Sequence, residues 1–186
     1  MGTNVLTSLA EYLKTPFESP EPDFIDGELV TRSMPNLLHS RAVAALIIAF
    51  FRLAPKSLLL LPELRLRVLA ERYRVADLAI FDQEPQELIP EKLPLIVIEV
   101  LSPDESHAEL MSKFADYSGI HIPHIWLVDP ITKGFSIYRK GSLISSQRLE
   151  LPEYSVVIEL SDIFSSFFQR GPASLSSVPQ AKCGPK

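Results

Sequence analysis

The hydrophobic and polar positions of the chain predict helices and strands in a mixed α/β arrangement. Apolar residues at helical spacing predict helices within 6–13, from the N-cap Asn36 to about Leu53, from 102–105 to about Tyr117, and over one turn capped by Ser161. Alternating or continuous apolar runs predict strands at 58–61, 64–68, 75–81, 95–101, 124–128 and 156–158. Asp26-Gly27 and Lys140-Gly141 predict the turns of two hairpins, the second joining 135–138 to 143–149.

The run Leu95–Leu101 is the most apolar of these strands and is rich in β-branched residues. Such a run is typical of a central strand covered on both faces. Helices interspersed with strands therefore predict an α/β (α+β) fold with a mixed central sheet flanked by helices. The length of 186 residues suits one domain over 1–170, and the Gly, Pro, Ser and Lys composition of 171–186 predicts a disordered tail.

The charge balance bears on possible partners. The formal net charge is −5, and no run of Lys and Arg reaches five residues, which counts against tight nonspecific DNA binding. Four arginines nevertheless lie close together in sequence, at positions 65, 67, 72 and 74. They form either a local basic patch or, as we favour, solvated strand faces and a turn, since Arg65 and Arg67 alternate with apolar residues.

Cysteine content and hydropathy exclude other classes. The single cysteine, Cys183, permits neither a disulfide within one chain nor a cysteine-based zinc site. The first fifteen residues lack the apolar region of a signal peptide. The apolar run 42–53 is too short for a bilayer, which needs about twenty residues, and is expected to be a buried helix. We therefore expect a cytoplasmic protein without a membrane segment.

Two acidic residues stand inside apolar strands. Glu99 lies within Leu95–Leu101, and Asp77 lies within the strand 75–81. A buried carboxylate is costly unless it has a partner or a metal. Two carboxylates that face one point repel each other, and a divalent cation removes that repulsion. Hard oxygen ligands of this kind favour Mg²⁺ or Mn²⁺.

Lys113 lies on the helix that follows Glu99. If this helix folds back over the sheet, the ammonium reaches the two acids. Two acids, a metal and a lysine suit phosphodiester hydrolysis. The metal polarises the phosphate and lowers the pKa of a bound water. The lysine orients that water or neutralises charge in the transition state.

The order of several motifs resembles the Uma-type family of restriction endonucleases, within the PD-(D/E)XK nuclease superfamily. The motifs are FIDGEL at 24–29, a helical His39, VADLAIF at 75–81, VIEVLSP at 97–103, Lys113 with Tyr117, and IWLVDP at 125–130. The resemblance covers roughly residues 6–165. It implies a four-stranded mixed core sheet with flanking helices. It also implies a Mg²⁺-dependent endonuclease that cleaves DNA, and it favours a homodimer whose two sites face the two strands of a duplex.

The resemblance also implies roles for individual residues. Asp77 and Glu99 would bind the metal, and a backbone carbonyl near Val100 or Leu101 would complete its shell. The superfamily's lysine, two residues after the acid, is replaced by Leu101. In the Uma-type pattern the lysine comes from the following helix, where Lys113 matches. The superfamily's proline before the first acid is Ala76, and the acid expected before FIDGEL, usually glutamate, is the shorter Asp23.

Other interpretations stay open. His39 either contacts the site or braces the apolar helix, and Tyr117 either serves the site or packs between helix and sheet. The acidic pI of about 5.4, Leu101 and the short Asp23 favour an interaction protein that keeps the nuclease scaffold without its activity. Nuclease chemistry on RNA or on a special DNA structure is a third alternative.

Overall fold

The computed structural model of the protein describes residues 5–165, so the predicted tail 171–186 and its Cys183 lie outside the described residues. The helices of the described part are α1 (Leu9–Lys14), α2 (Leu37–Leu53), α3 (His107–Gly119) and α4 (Leu160–Phe164), with a 3-10 turn at Pro152–Tyr154. The predicted cap Asn36 is confirmed, because its side chain accepts hydrogen bonds from the first turn of α2.

The start of α3 differs from the prediction. This helix begins at His107 rather than at 102–105, because Ser106 and Glu109 form a capping box. Glu105 therefore lies in the turn before the helix. The last helix is capped by Glu159 rather than by Ser161.

The described strands are β1 (Val5–Leu6), β2 (Asp23–Ile25), β3 (Glu28–Val30), β4 (Leu59–Leu69), β5 (Arg72–Phe81), β6 (Ile96–Val100), β7 (His124–Asp129), β8 (Gly134–Arg139), β9 (Ser142–Ser146), β10 (Arg148–Leu151) and β11 (Val156–Glu159). Nine of them form one sheet in the order β1-β3-β2-β5-β6-β7-β8-β9, with β4 paired to β5, and β10 pairs with β11 separately. The β6–β7 pair is parallel and the other pairs are antiparallel. The predicted mixed sheet flanked by helices is confirmed, although it is larger than the expected four-stranded core.

Two strand predictions need correction. The separate strands at 58–61 and 64–68 are one strand, β4, which runs through a distortion at Glu63, whose φ is 51°. The second strand of the 135–149 hairpin ends at Ser146, and the chain then enters β10. Both hairpin turns are confirmed. Asp26 and Gly27, like Lys140 and Gly141, have the positive φ that tight two-residue turns require.

The edge of β5 that faces away from β4 carries two different partners. Its first residues, Arg72 and Tyr73, pair with β2, and its later residues 78–80 pair with β6. Between them, residues 74–77 face a gap in the sheet. Backbone and side-chain polar groups at such a gap need other partners. The predicted acids Asp23, Asp77 and Glu99 all lie around it.

The two faces of the sheet are covered by different helices. On one face, α2 buries Ala45, Leu46 and Phe50 against Leu78, Ile98 and Trp126. On the other, α3 buries Leu110, Phe114 and Tyr117 against Ala79, Val97 and Leu127. Alternate residues of β5 and β6 thus enter opposite cores. Within residues 5–165, no helix has the length and apolar character needed to cross a membrane.

Candidate active site

Asp77 is the most densely bonded acid at the gap. Its Oδ1 accepts a hydrogen bond from Arg32 Nη2 at 2.7 Å. Its Oδ2 accepts one from the backbone N–H of Val100 at 2.8 Å and lies 3.0 Å from His39 Nε2. Burial alone raises the pKa of the Asp77 carboxyl, but His39, Lys113 and Arg32 bring it below its usual value. Asp77 is therefore a buried anion at neutral pH.

Glu99 lies across from Asp77 on β6. The paired residues of β5 and β6 end at Leu78 and Ile98, so the next residue of each strand is one of the two acids. Glu99 is 1% exposed, and its two oxygens accept hydrogen bonds from Tyr117 Oη at 2.7 Å and Lys113 Nζ at 3.1 Å. Burial raises the pKa of Glu99 to about 8, although the Lys113 ammonium lowers it.

Lys113 reaches the site from α3, as predicted. It is 6% exposed, and its Nζ lies between Glu99 and Glu105, at 3.1 Å and 3.2 Å. Burial by itself lowers the pKa of Lys113, but the surrounding carboxylates raise it above its usual value. The side chain is therefore a fixed ammonium. Glu105 lies in the turn before α3 and not in the helix itself, and from there its carboxylate accepts a hydrogen bond from the lysine.

Asp23 lies on the opposite side of the gap. It accepts hydrogen bonds from the Val75 backbone N–H at 2.8 Å and from Arg74 Nη1 at 3.0 Å. Arg74 also pairs with Asp116 at 2.6 Å and donates to Ser112 at 3.0 Å. The expectation of a solvated strand face is therefore wrong for Arg74, which is 4% exposed. It ties β2 and β5 to α3 behind Lys113.

Arg32 and Glu63 were not predicted as site residues. Glu63 of β4 lies level with Asp77, since Pro62 and Leu64 pair with Leu78 and Ala76. Arg32 donates to Glu63 Oε2 and to Asp77 Oδ1, at 2.7 Å each. Glu63, Asp77 and Glu99 thus lie side by side on the neighbouring strands β4, β5 and β6. The Arg32 guanidinium bridges the first two of these acids. No local pattern marks Arg32, although the isolated Glu63 after Pro62 interrupts an apolar strand.

A cavity of about 520 Å³ opens at the gap. Its lining includes Asp23, Arg32, Glu63, Asp77 and Lys113. Val100 also lines it, next to Glu99, which itself lies beneath Lys113 and Tyr117. His39 lines the cavity as well and lies against Asp77, so the structure shows the contact that was one of its two open interpretations. Asp23, Asp77 and Lys113 therefore line one cavity, whereas Glu99 is buried behind Lys113 and does not line it.

The oxygen atoms of Asp77 and Glu99 have the chemistry that a hard divalent cation needs. An ionised carboxylate has about four acceptor positions. Asp77 Oδ1 and both oxygens of Glu99 each have one hydrogen-bond partner, so they retain acceptor capacity. Among the described residues, no group of three or more His, Cys, Asp and Glu side chains could hold a metal. Two carboxylates with water and phosphate fit Mg²⁺, which keeps several waters in proteins.

The comparisons with known proteins agree with this architecture. A solved structure titled as "a putative nuclease belonging to DUF820" from Anabaena variabilis is similar over 87% of this chain and 99% of its own, with a TM-score of 0.74 and 22% identity. That similarity shows a shared fold. No curated protein matched the chain. The model of one family, Uma2, described as "Putative restriction endonuclease", matches residues 9–173. The chain therefore belongs to the Uma2 family, as its motifs predicted.

Proposed function

We propose that the protein is a divalent-metal-dependent endonuclease that hydrolyses phosphodiester bonds of DNA. The observation that carries this proposal is the arrangement of Asp77, Glu99 and Lys113, which come from β5, β6 and α3. Asp77 and Lys113 line one cavity, and the buried Glu99 contacts Lys113. Membership of the Uma2 family supports it. The activity uses Mg²⁺ or Mn²⁺, which prefer carboxylate and water ligands.

Asp77 and Glu99 would hold the cation, together with the backbone carbonyl of Val100. When bound, the cation polarises a phosphate oxygen and lowers the pKa of a water. The side chains around the two acids fix their geometry. Tyr117 and Lys113 orient Glu99, while His39 and the Val100 N–H orient Asp77. Hydrogen bonds from neighbouring residues commonly fix the orientation of metal-binding side chains.

Lys113 acts as a charge rather than as a base, because its surroundings keep the ammonium protonated. A fixed positive charge beside the reacting phosphate stabilises the negative charge that develops in the transition state. Asp23 supports this role indirectly. It holds Arg74, and the Asp23 carboxylate contributes to the raised pKa of Lys113. We therefore keep Asp23 in the proposed catalytic group as an acid that positions others.

Mn²⁺ titration tests the metal site directly. Calorimetry should detect binding to the parent protein, and Asp77→Asn or Glu99→Gln should abolish it because each removes a ligand. Glu150→Gln is a matched control, since Glu150 pairs with Arg148 on the exposed part of the protein. Binding that persists in both site variants would contradict the assignment.

An interaction protein with the nuclease scaffold is the second candidate. The contact of Arg32 with Asp77 favours it, because a guanidinium already neutralises this acid. The net charge of −5 also favours it, because a dedicated nucleic-acid binder usually has a basic face. The two candidates differ in the Mn²⁺ titration. A scaffold that has lost its activity would bind no Mn²⁺ at Asp77 and Glu99.

A further inference from the structure

The partners of Asp77 differ in how firmly they are held. Val100 belongs to β6 and His39 to the first turn of α2, so both are fixed by regular structure. Arg32 comes from the irregular segment 31–36 between β3 and α2. Among the described residues, it is also the only hydrogen-bond partner of Asp77 Oδ1. Arg32 is therefore the partner of Asp77 that can leave at the smallest structural cost.

The contacts of Arg32 face the cavity. Arg32, Glu63 and Asp77 all line it, and its volume of about 520 Å³ leaves space for a different side-chain position. The Arg32 side chain is 9% exposed, whereas that of Glu63 is 44% exposed. Arg32 thus contacts one buried acid, Asp77, and one partly exposed acid, Glu63. If Arg32 leaves Asp77, it can keep its ion pair with Glu63 near the opening of the cavity.

A guanidinium and a divalent cation at the same carboxylate repel each other. In a buried site this repulsion is only weakly screened by solvent. The two positive groups therefore compete for Asp77. A guanidinium also matches the geometry of phosphate, to which it can donate two parallel hydrogen bonds.

We propose that Arg32 is a displaceable counter-ion of Asp77: it neutralises this acid until a divalent cation binds, and it then binds a phosphate of the nucleic-acid backbone. This inference rests on the proposed metal-dependent nuclease function and adds a phosphate-binding residue to it. Arg32 protects the buried Asp77 in the absence of metal. After metal binding, it contributes a positive charge to a cavity mouth that Glu63, Asp104 and Glu109 make acidic.

Competition predicts that loss of Arg32 strengthens metal binding. If Arg32 occupies Asp77 in nine of ten molecules, its removal raises the apparent affinity about tenfold. Calorimetric titration with Mn²⁺ should therefore give a dissociation constant about tenfold lower for Arg32→Gln than for the parent. Arg65→Gln is the matched control, because Arg65 also pairs with a carboxylate, Glu21, and has a side-chain exposure of 14%. It should leave the Mn²⁺ affinity unchanged.

The phosphate role predicts a change in the opposite direction. With Mn²⁺ saturating, fluorescence anisotropy should show that Arg32→Gln binds a phosphorothioate DNA duplex about tenfold more weakly than the parent, the loss of one good phosphate contact. Such a duplex keeps the backbone charge but resists hydrolysis. A purely structural arginine would not increase metal affinity while decreasing duplex affinity.

The outcomes separate this inference from the proposed function. Equal Mn²⁺ affinity in the parent and Arg32→Gln, both folded by circular dichroism, would overturn the displacement and leave the metal site intact. Absence of Mn²⁺ binding in both would overturn the metal site and the inference with it. Should Arg32→Gln fail to fold, Arg32→Met removes the charge and keeps most of the aliphatic stem. It should bind Mn²⁺ more tightly than the parent, and an unchanged affinity would again overturn the displacement.

Discussion

The Lys113 ammonium lies 3.1 Å from the Glu99 carboxylate, although the two residues are 14 positions apart and belong to a helix and a strand. A second carboxylate, that of Glu105, lies 3.2 Å from the same nitrogen. The lysine is thus fixed between two acids in the interior. The proposed mechanism assigns to Lys113 the role of the lysine that is absent at Leu101.

Lys113→Met tests the lysine's electrostatic role. The methionine keeps most of the stem but removes the charge, so plasmid nicking should fall by roughly two to three orders of magnitude. Mn²⁺ binding should be retained, because both carboxylates remain. Lys113→Arg should restore little activity, since a planar fork does not replace a compact ammonium.

The same substitution also has a stability cost. It removes the hydrogen bonds of the ammonium to Glu99 and Glu105, and the loss of such a charged hydrogen bond costs about 1.5–3 kcal/mol. Denaturant unfolding should therefore accompany the activity measurement, with the exposed Lys56→Met as control. Full activity in folded Lys113→Met would contradict the role assigned to this lysine.

Glu99 predicts a pH-dependent stability in the absence of metal. Burial raises its pKa from 4.5 to about 8, so between these values the folded protein binds a proton that the unfolded chain has released. The stability contributed by protonated Glu99 is fully present below pH 4.5 and is lost as the pH rises through about 8. Urea unfolding between pH 5 and pH 8.5 should show a decline that Glu99→Gln removes. A decline of the same slope in the variant would assign it to another group.

A homodimer remains a prediction from the family resemblance. Two surfaces suit self-association. β9 is an edge strand with Ile144 53% exposed, and α2 presents Phe51 at 74% exposure. Light scattering at micromolar concentration should give twice the chain mass of 20.8 kDa. Ile144→Glu and Phe51→Glu should identify the surface, since a buried charge at the interface weakens it. A mass of 20.8 kDa for the parent would rule out a stable dimer.

The sequence predicted the acids of the site because they violate a local rule. Asp77 and Glu99 stand in strands whose other residues are apolar, and such an exception needs a partner. We predicted that the two acids lie close together because each lies on one of two strands expected to share an edge. We predicted the role of Lys113 from the family motif and from its position on the following helix. These three residues could be predicted because the relevant signals, an acid in an apolar strand and a lysine on the next helix, lie close together in the sequence.

Arg32 and Glu63 could not be found in the same way. Arg32 lies in an irregular segment, and its contact with Asp77 joins residues 45 positions apart. Glu63 was placed between two predicted strands, because the sequence does not reveal that β4 continues through a residue with positive φ. The sequence predicts a solvated Arg74, because this residue lies just before the predicted strand 75–81. Its polar side chain instead faces Asp23 and Asp116 across the gap.

The most direct test of the account is plasmid nicking by the parent, Asp77→Asn and Glu99→Gln in Mg²⁺ or Mn²⁺, with excess EDTA as the metal-free control. We predict that the parent converts supercoiled plasmid to nicked and linear forms only with metal. Each folded variant should lose roughly two to three orders of magnitude in rate, as expected for a preorganised electrostatic group. Nicking that survives in both variants would contradict the assigned site. A folded parent that cleaves neither DNA nor RNA under these conditions would contradict the nuclease function.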